Sequence, residues 1–208
     1  LMKNFETPLA ITMGDPSGIG PEIILKSVVE TKLNNFVIFG DSLVFDSLIK
    51  SLGLPLTINK ISELSEAIFE EDYINLFETS KLNHLPHYGK ISKECGKVSF
   101  DAIIKSIELA KQGKVSGIVT APISKKALNL AHINYPGHTE ILAGYSNNKA
   151  VSMMLLNKHI KTVLVTLHCS MKQALDRITI QNELDAIINA DLGCKLFGIE
   201  KPVIEVAA

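Results

Sequence analysis

Apolar residues in this chain fall into short unbroken runs, separated by stretches in which they recur every three or four positions. The runs Leu9–Gly14 (LAITMG), Phe36–Gly40 (FVIFG), Ile74–Glu78 (INLFE) and Ser116–Pro122 (SGIVTAP) predict buried strands. So do VSMMLL (Val151–Leu156) and KTVLVTLH (Lys161–His168), which flank NKHI as a hairpin would, and PVIEVAA (Pro202–Ala208). Between them, Pro21–Leu33 predicts a helix with proline in its first turn, and Asp41–Gly53 a helix stopped by glycine. Phe100, Ile103, Ile104, Ile107 and Ala110 lie on one helical face, and Ile180, Leu184, Ile187 and Ile188 mark a long helix ending near Gly198.

Strands alternating with helices predict an α/β fold with a mainly parallel sheet. The 151–168 hairpin either makes that sheet mixed or adds a second one. A last apolar strand with no helix after it reads as a chain cut at Ala208.

Composition narrows the function. Apolar residues make up 46% and charged residues 21%, a globular balance, and the net charge of −1 argues against a general nucleic-acid binder. No apolar stretch approaches the ~20 residues of a membrane span. The three cysteines, Cys95, Cys169 and Cys194, form no CxxC pair, which suits a reducing, cytoplasmic setting.

The glycine-rich stretch ITMGDPSGIGPE, Ile11–Glu22, lacks the Gly-Lys-Ser/Thr of a phosphate loop. It also fails the dinucleotide fingerprint, because Ile23 stands where a third glycine is needed. Alone it reads as a strand-to-helix turn, although Asp15 and Ser17 lie at the carboxyl end of a strand, where open α/β sheets place ligands. In YPGHTEILAGY, His138 and Thr139 stand at the start of a short helix. They either cap it or add donors to a helix N-terminus suited to phosphate. His168, at the end of an apolar run, is either a metal ligand or base or an ordinary surface histidine. Lys125 and Lys126 follow a strand, as a phosphate contact or as a solvated helix start. His84 and His87 read as solvated, Met153 and Met154 as core, and Cys169 as packing.

Taken together and in order, ITMGDPSGIGPEI, VTAPISKKAL, YPGHTEILA, VSMMLL and VTLH closely resemble the 4-hydroxythreonine-4-phosphate dehydrogenase family of pyridoxal phosphate biosynthesis. The resemblance covers residues 8–208. It implies a two-domain fold like that of isocitrate and isopropylmalate dehydrogenases, divided here as residues 2–125, a first domain lacking its C-terminal return, and 126–208, an incomplete second one. It implies oxidation of a small phosphorylated amino-acid substrate by NAD or NADP, giving a β-keto acid that loses carbon dioxide. It further implies a divalent metal (zinc, magnesium or cobalt), and a cytoplasmic homodimer whose shared active site binds neither nucleic acid nor membrane. His138 and Thr139 match the family's substrate-contacting pair, and His168 matches a metal ligand; both are expected in the cleft between the domains.

Three departures stand out. VTLHCSMK replaces a TTHLPLK-like segment, and APISK replaces APINK. The motifs LNPHAGE and YHDQG, each carrying a further metal-ligand histidine, are absent. The 208-residue chain alone is therefore expected to be inactive. Rival readings are a dehydrogenase of a related four-carbon sugar-acid phosphate, a phosphate-binding or acyl-transfer protein on a similar scaffold, and a noncatalytic fragment.

Overall fold

The computed structural model describes residues 7–147 and 151–207. Two compact units divide the chain, the first ending at Ser146 and the second beginning at Asn147.

The first unit is built on five parallel strands: β1 (Leu9–Thr12), β2 (Phe36–Gly40), β3 (Thr57–Ile61), β4 (Tyr73–Glu78) and β5 (Gly117–Thr120), in the order β3-β4-β2-β1-β5. All five residues of β2 are buried, as expected of an inner strand covered on both faces. Successive side chains of β1 go to opposite faces. Ile11 and Met13 join α1 (Gly20–Thr31) and α2 (Ser42–Leu52) in one core cluster, while Ala10 joins Ala102 and Leu109 of α3 (Lys93–Lys111) in another. The result is a three-layer α/β/α unit. Asp41 caps α2, its carboxylate accepting from Leu43 N at 3.0 Å, and Ser92 caps α3 by accepting from Cys95 N at 3.1 Å.

Two shorter helices, α4 (Lys125–Leu130) and α5 (His138–Ser146), pack on α3 through Ile103, Ile107, Leu128 and Ile141. Both therefore belong to the first unit, whereas the expected boundary, after residue 125, falls within the first turn of α4. Apolar burial against α3 sets this division.

The second unit holds an antiparallel pair, β6 (Met154–Leu156) and β7 (Lys161–Val163), with α6 (Met171–Arg177) and α7 (Ile180–Leu196). Of the two alternatives for the hairpin, the mixed sheet is corrected and the second sheet holds: β6 and β7 form a separate two-stranded sheet, and the five-stranded sheet is parallel throughout. The strand expected over Lys161–His168 ends at Val163, and His168 sits in a bend beyond it with left-handed φ of 48°. Residues 202–207 form no strand, and Val203 is 99% exposed; an apolar run with nothing to pair with has no ladder to join. β3 and α6 have no counterpart in the hydrophobic pattern. In β3, Asn59 donates to Asn75 Oδ1 of β4 at 2.9 Å, so polar side chains take part in holding a strand that its composition hides.

Candidate functional site

Parallel α/β sheets place ligands outside the carboxyl ends of their strands, near the point where chain connections diverge. Here β1 connects onward to β2 on one side and pairs with β5 on the other, so the segments leaving β1 and β5 frame that position.

The segment after β1 is tied down by its own side chains. Asp15 accepts from Ser17 N at 2.9 Å and from Ser17 Oγ at 2.8 Å, and both residues are buried. Asp15 N donates to the Pro122 carbonyl at 2.9 Å, and Ala121 N to the Thr12 carbonyl at 3.2 Å. Gly14 has φ of 72° and lies so close to the 121–122 backbone that a Cβ would overlap the Pro122 carbonyl oxygen. The glycine-rich turn therefore knits β1 to the segment following β5, and Asp15 and Ser17 serve that turn. The thiol of Cys95, in the first turn of α3, sits by Ser17 and Ser92; burial pushes it above the usual thiol range.

The same segment, 121–125, meets the GHTE turn. His138 opens α5, near the Ala121 carbonyl. Its Nε2 is buried without a hydrogen-bond partner. Burial lowers the pKa of this ring below the usual histidine value, against the smaller opposing effect of the Ala121 carbonyl. Ser124 caps α4 by accepting from Ala127 N at 3.2 Å, which places Lys125 at the first helical position. A Cβ built on Gly137 would lie 3.5 Å from Glu140 Oε2 and 4.0 Å from Lys125 Cε. Lys125 is thus brought beside the GHTE turn, whereas its sequence surroundings leave a solvated helix start equally open.

Three segments read separately along the chain, GDPSG, APISK and PGHTE, therefore converge on one strip of backbone. The carbonyl of Ala121 near His138 has no signature in sequence because it is a main-chain group.

His168 lies in the second unit, exposed, between β7 and α6. Among the described residues, no three His, Cys, Asp or Glu side chains come together as metal ligands. The residues present therefore do not by themselves fit the expected divalent ion, since catalytic metals usually take three protein ligands. The three cysteines are all free, and no described helix is long and apolar enough to cross a membrane.

Comparison with known proteins follows the same lines. The sequence profile of the family described as "Pyridoxal phosphate biosynthetic protein PdxA" matches residues 32–208. A protein of Beijerinckia indica named 4-hydroxythreonine-4-phosphate dehydrogenase is 45% identical over 99% of this chain and 61% of its own length. A Fusobacterium nucleatum protein, provisionally named a D-threonate 4-phosphate dehydrogenase, is 34% identical over 93% of this chain and 59% of its own. The crystal structure of 4-hydroxythreonine-4-phosphate dehydrogenase from Klebsiella pneumoniae superposes with a TM-score of 0.86 at 33% identity, covering 95% of this chain and 62% of that one. The chain thus spans about six-tenths of the length of the relatives it matches.

Proposed function

This chain belongs to the PdxA family of pyridoxal phosphate biosynthetic proteins, and from that premise we propose that it acts as part of a dehydrogenase of 4-phosphohydroxy-L-threonine. With NAD or NADP as hydride acceptor, the C3 hydroxyl is oxidised to give 2-amino-3-oxo-4-phosphooxybutanoate. That β-keto acid loses carbon dioxide to leave 3-amino-2-oxopropyl phosphate. The observation that carries the reading is the 45% identity to a 4-hydroxythreonine-4-phosphate dehydrogenase across nearly the whole chain.

His138 and Thr139 are the proposed substrate contacts. The start of α5 offers free backbone N–H groups to a phosphate, and Lys125 lies close enough to add its charge. His168 is the proposed contribution to a divalent metal site, zinc, magnesium or cobalt. The described residues do not complete that site. The remaining parts of the proposal are the isocitrate-dehydrogenase-like architecture, a homodimer sharing its active sites, and residence in the cytoplasm, where three free thiols remain reduced. The 208-residue chain alone is proposed to lack dehydrogenase activity.

A second reading is favoured by the Fusobacterium relative: D-threonate 4-phosphate, which carries a hydroxyl where phosphohydroxythreonine carries an ammonium group. The test is reduction of NAD and NADP by the protein, extended to the length of its relatives, on both substrates. Faster turnover of 4-phosphohydroxy-L-threonine supports the first reading, preference for D-threonate 4-phosphate supports the second, and turnover of neither overturns both.

A further inference from the structure

Two glycines near the candidate site are demanded by packing, and a third is not. A Cβ on Gly14 would overlap the Pro122 carbonyl, and one on Gly20 the Met13 carbonyl, so the fold itself requires glycine at both. At Gly137 the backbone is not left-handed. A Cβ there would meet its nearest neighbours, Glu140 Oε2 and Lys125 Cε, at the ordinary contact distances of 3.5 and 4.0 Å. Alanine therefore fits. What glycine leaves is an opening beside the first turn of α5, with a carboxylate on one side and a lysine chain on the other.

These two side chains are unmatched. Glu140 is partly buried, yet among the described residues it makes no hydrogen bond or ion pair, and neither does Lys125. Both approach the same point at Gly137, but no ion pair joins them across it. A partly desolvated carboxylate without a partner costs free energy in the free protein. A ligand carrying a cation and an anion a few bonds apart would match both side chains at once. 4-Phosphohydroxy-L-threonine is such a ligand, with an ammonium group on C2 and a phosphate on C4. Lys125 and Glu140 belong to different helices, α4 and α5, each packed on α3 through Leu128 and Ile141, so packing sets their spacing.

We propose that Gly137 holds open a slot in which Glu140 receives the substrate's α-ammonium while Lys125 and the start of α5 hold its phosphate. Glu140 is then the residue that selects an amino acid over a hydroxy acid. This deepens the proposed function and rests on it, since phosphate at the GHTE turn is its premise. D-Threonate 4-phosphate offers Glu140 a neutral hydroxyl donor in place of a charge-assisted one.

The experiment is steady-state kinetics on both phosphates with the protein extended to the length of its relatives, comparing wild type, Glu140→Gln and Gly137→Ala. Wild type should favour 4-phosphohydroxy-L-threonine. Glutamine keeps the size of Glu140 without its charge, so kcat/KM for that substrate should fall by about 10–100-fold, and by about tenfold more than for D-threonate 4-phosphate. An equal loss on both substrates overturns the inference, because Glu140 then serves only the shape of α5. No loss on either overturns it too, as does a wild-type preference for D-threonate 4-phosphate. Gly137→Ala should melt near the wild-type temperature while raising KM for 4-phosphohydroxy-L-threonine; an unchanged KM in that folded variant removes the slot. Should the alanine variant fail to fold, the glutamine variant on the two substrates decides. Turnover of neither substrate by wild type overturns the proposed function and the inference with it, whereas each other adverse outcome leaves a dehydrogenase of this family standing.

Discussion

The backbone of α3 at Gly96 lies directly against the carbonyl of Ala127 in α4, so close that any Cβ would overlap it. Only glycine permits this approach, and it seats the helix that begins at Lys125. Gly96→Ala is expected to destabilise the protein by about 1–3 kcal/mol, because backbone rather than a pliable side chain must give way. Urea denaturation checks this. An unchanged midpoint would show that α4 can shift freely. In the full-length enzyme the same variant should raise the substrate KM, since Lys125 moves with α4.

Asp41 joins two elements. One oxygen caps α2 at Leu43, while the other accepts from Leu82 N at 2.7 Å and from Ser80 Oγ at 3.4 Å, which holds the connection between β4 and α3. Asp41→Ala should cost about 1–3 kcal/mol, combining a lost cap with a part-buried N–H left unpaired. Thermal unfolding provides the measurement, and a loss within experimental error would mean that the connection is held by other contacts.

The lowered pKa of His138 predicts a pH-dependent stability of definite sign. The unfolded ring binds a proton more readily than the folded one, so folding is penalised as pH falls below the ordinary histidine value toward the folded one. The penalty is absent above that window. Stability of the ligand-free protein should therefore rise with pH through the region just below about 6.5, and His138→Gln should remove that part of the rise. Identical wild-type and variant profiles would show that the ring is not buried as described.

Thiol chemistry should separate the three cysteines. Cys95 and Cys194 are buried, whereas Cys169 is partly exposed, and burial keeps the Cys95 thiol protonated. Under native conditions Cys169 should react first with a maleimide, and Cys95 only on unfolding. Mass spectrometry of the labelled peptides is decisive; early labelling of Cys95 would contradict its place beneath the glycine-rich turn.

His168 carries a left-handed backbone, which asparagine tolerates well among non-glycine residues. His168→Asn should therefore leave the melting temperature near wild type while lowering the divalent metal bound by the full-length protein. Equal metal content in the two proteins would remove His168 from the proposed metal site.

The inner part of the first unit was legible because burial on both faces makes its strands continuous apolar runs. LAITMG and FVIFG announce themselves, and Asp41 and Gly53 mark the ends of α2. β3 was not legible, since TINKI carries its polar side chains into hydrogen bonds that only the fold reveals. The reverse holds at PVIEVAA and at the end of KTVLVTLH, where apolar β-branched residues satisfy the pattern of a strand but, among the described residues, no neighbouring strand pairs with them. Within the candidate site, His138 and Thr139 were visible as residue types beside a helix start. The nearness of Lys125 and of the Ala121 carbonyl was not, because both follow from chain segments meeting in space.

The pairing of β1 with β5 also sets an order of events during synthesis. β1 meets β2 as soon as residues near Gly40 emerge, but its other edge waits for Gly117–Thr120. At about 5–20 residues per second, that interval is on the order of several seconds. Throughout it, a strand destined for the middle of the sheet stands as an open border, able to pair with another nascent chain. Because Ala121 and the Asp15 turn are locked together by that same late closure, the chemistry-bearing strip is among the last parts of the unit to take shape. A protein that aggregates while being made would thus lose its site before losing most of its secondary structure.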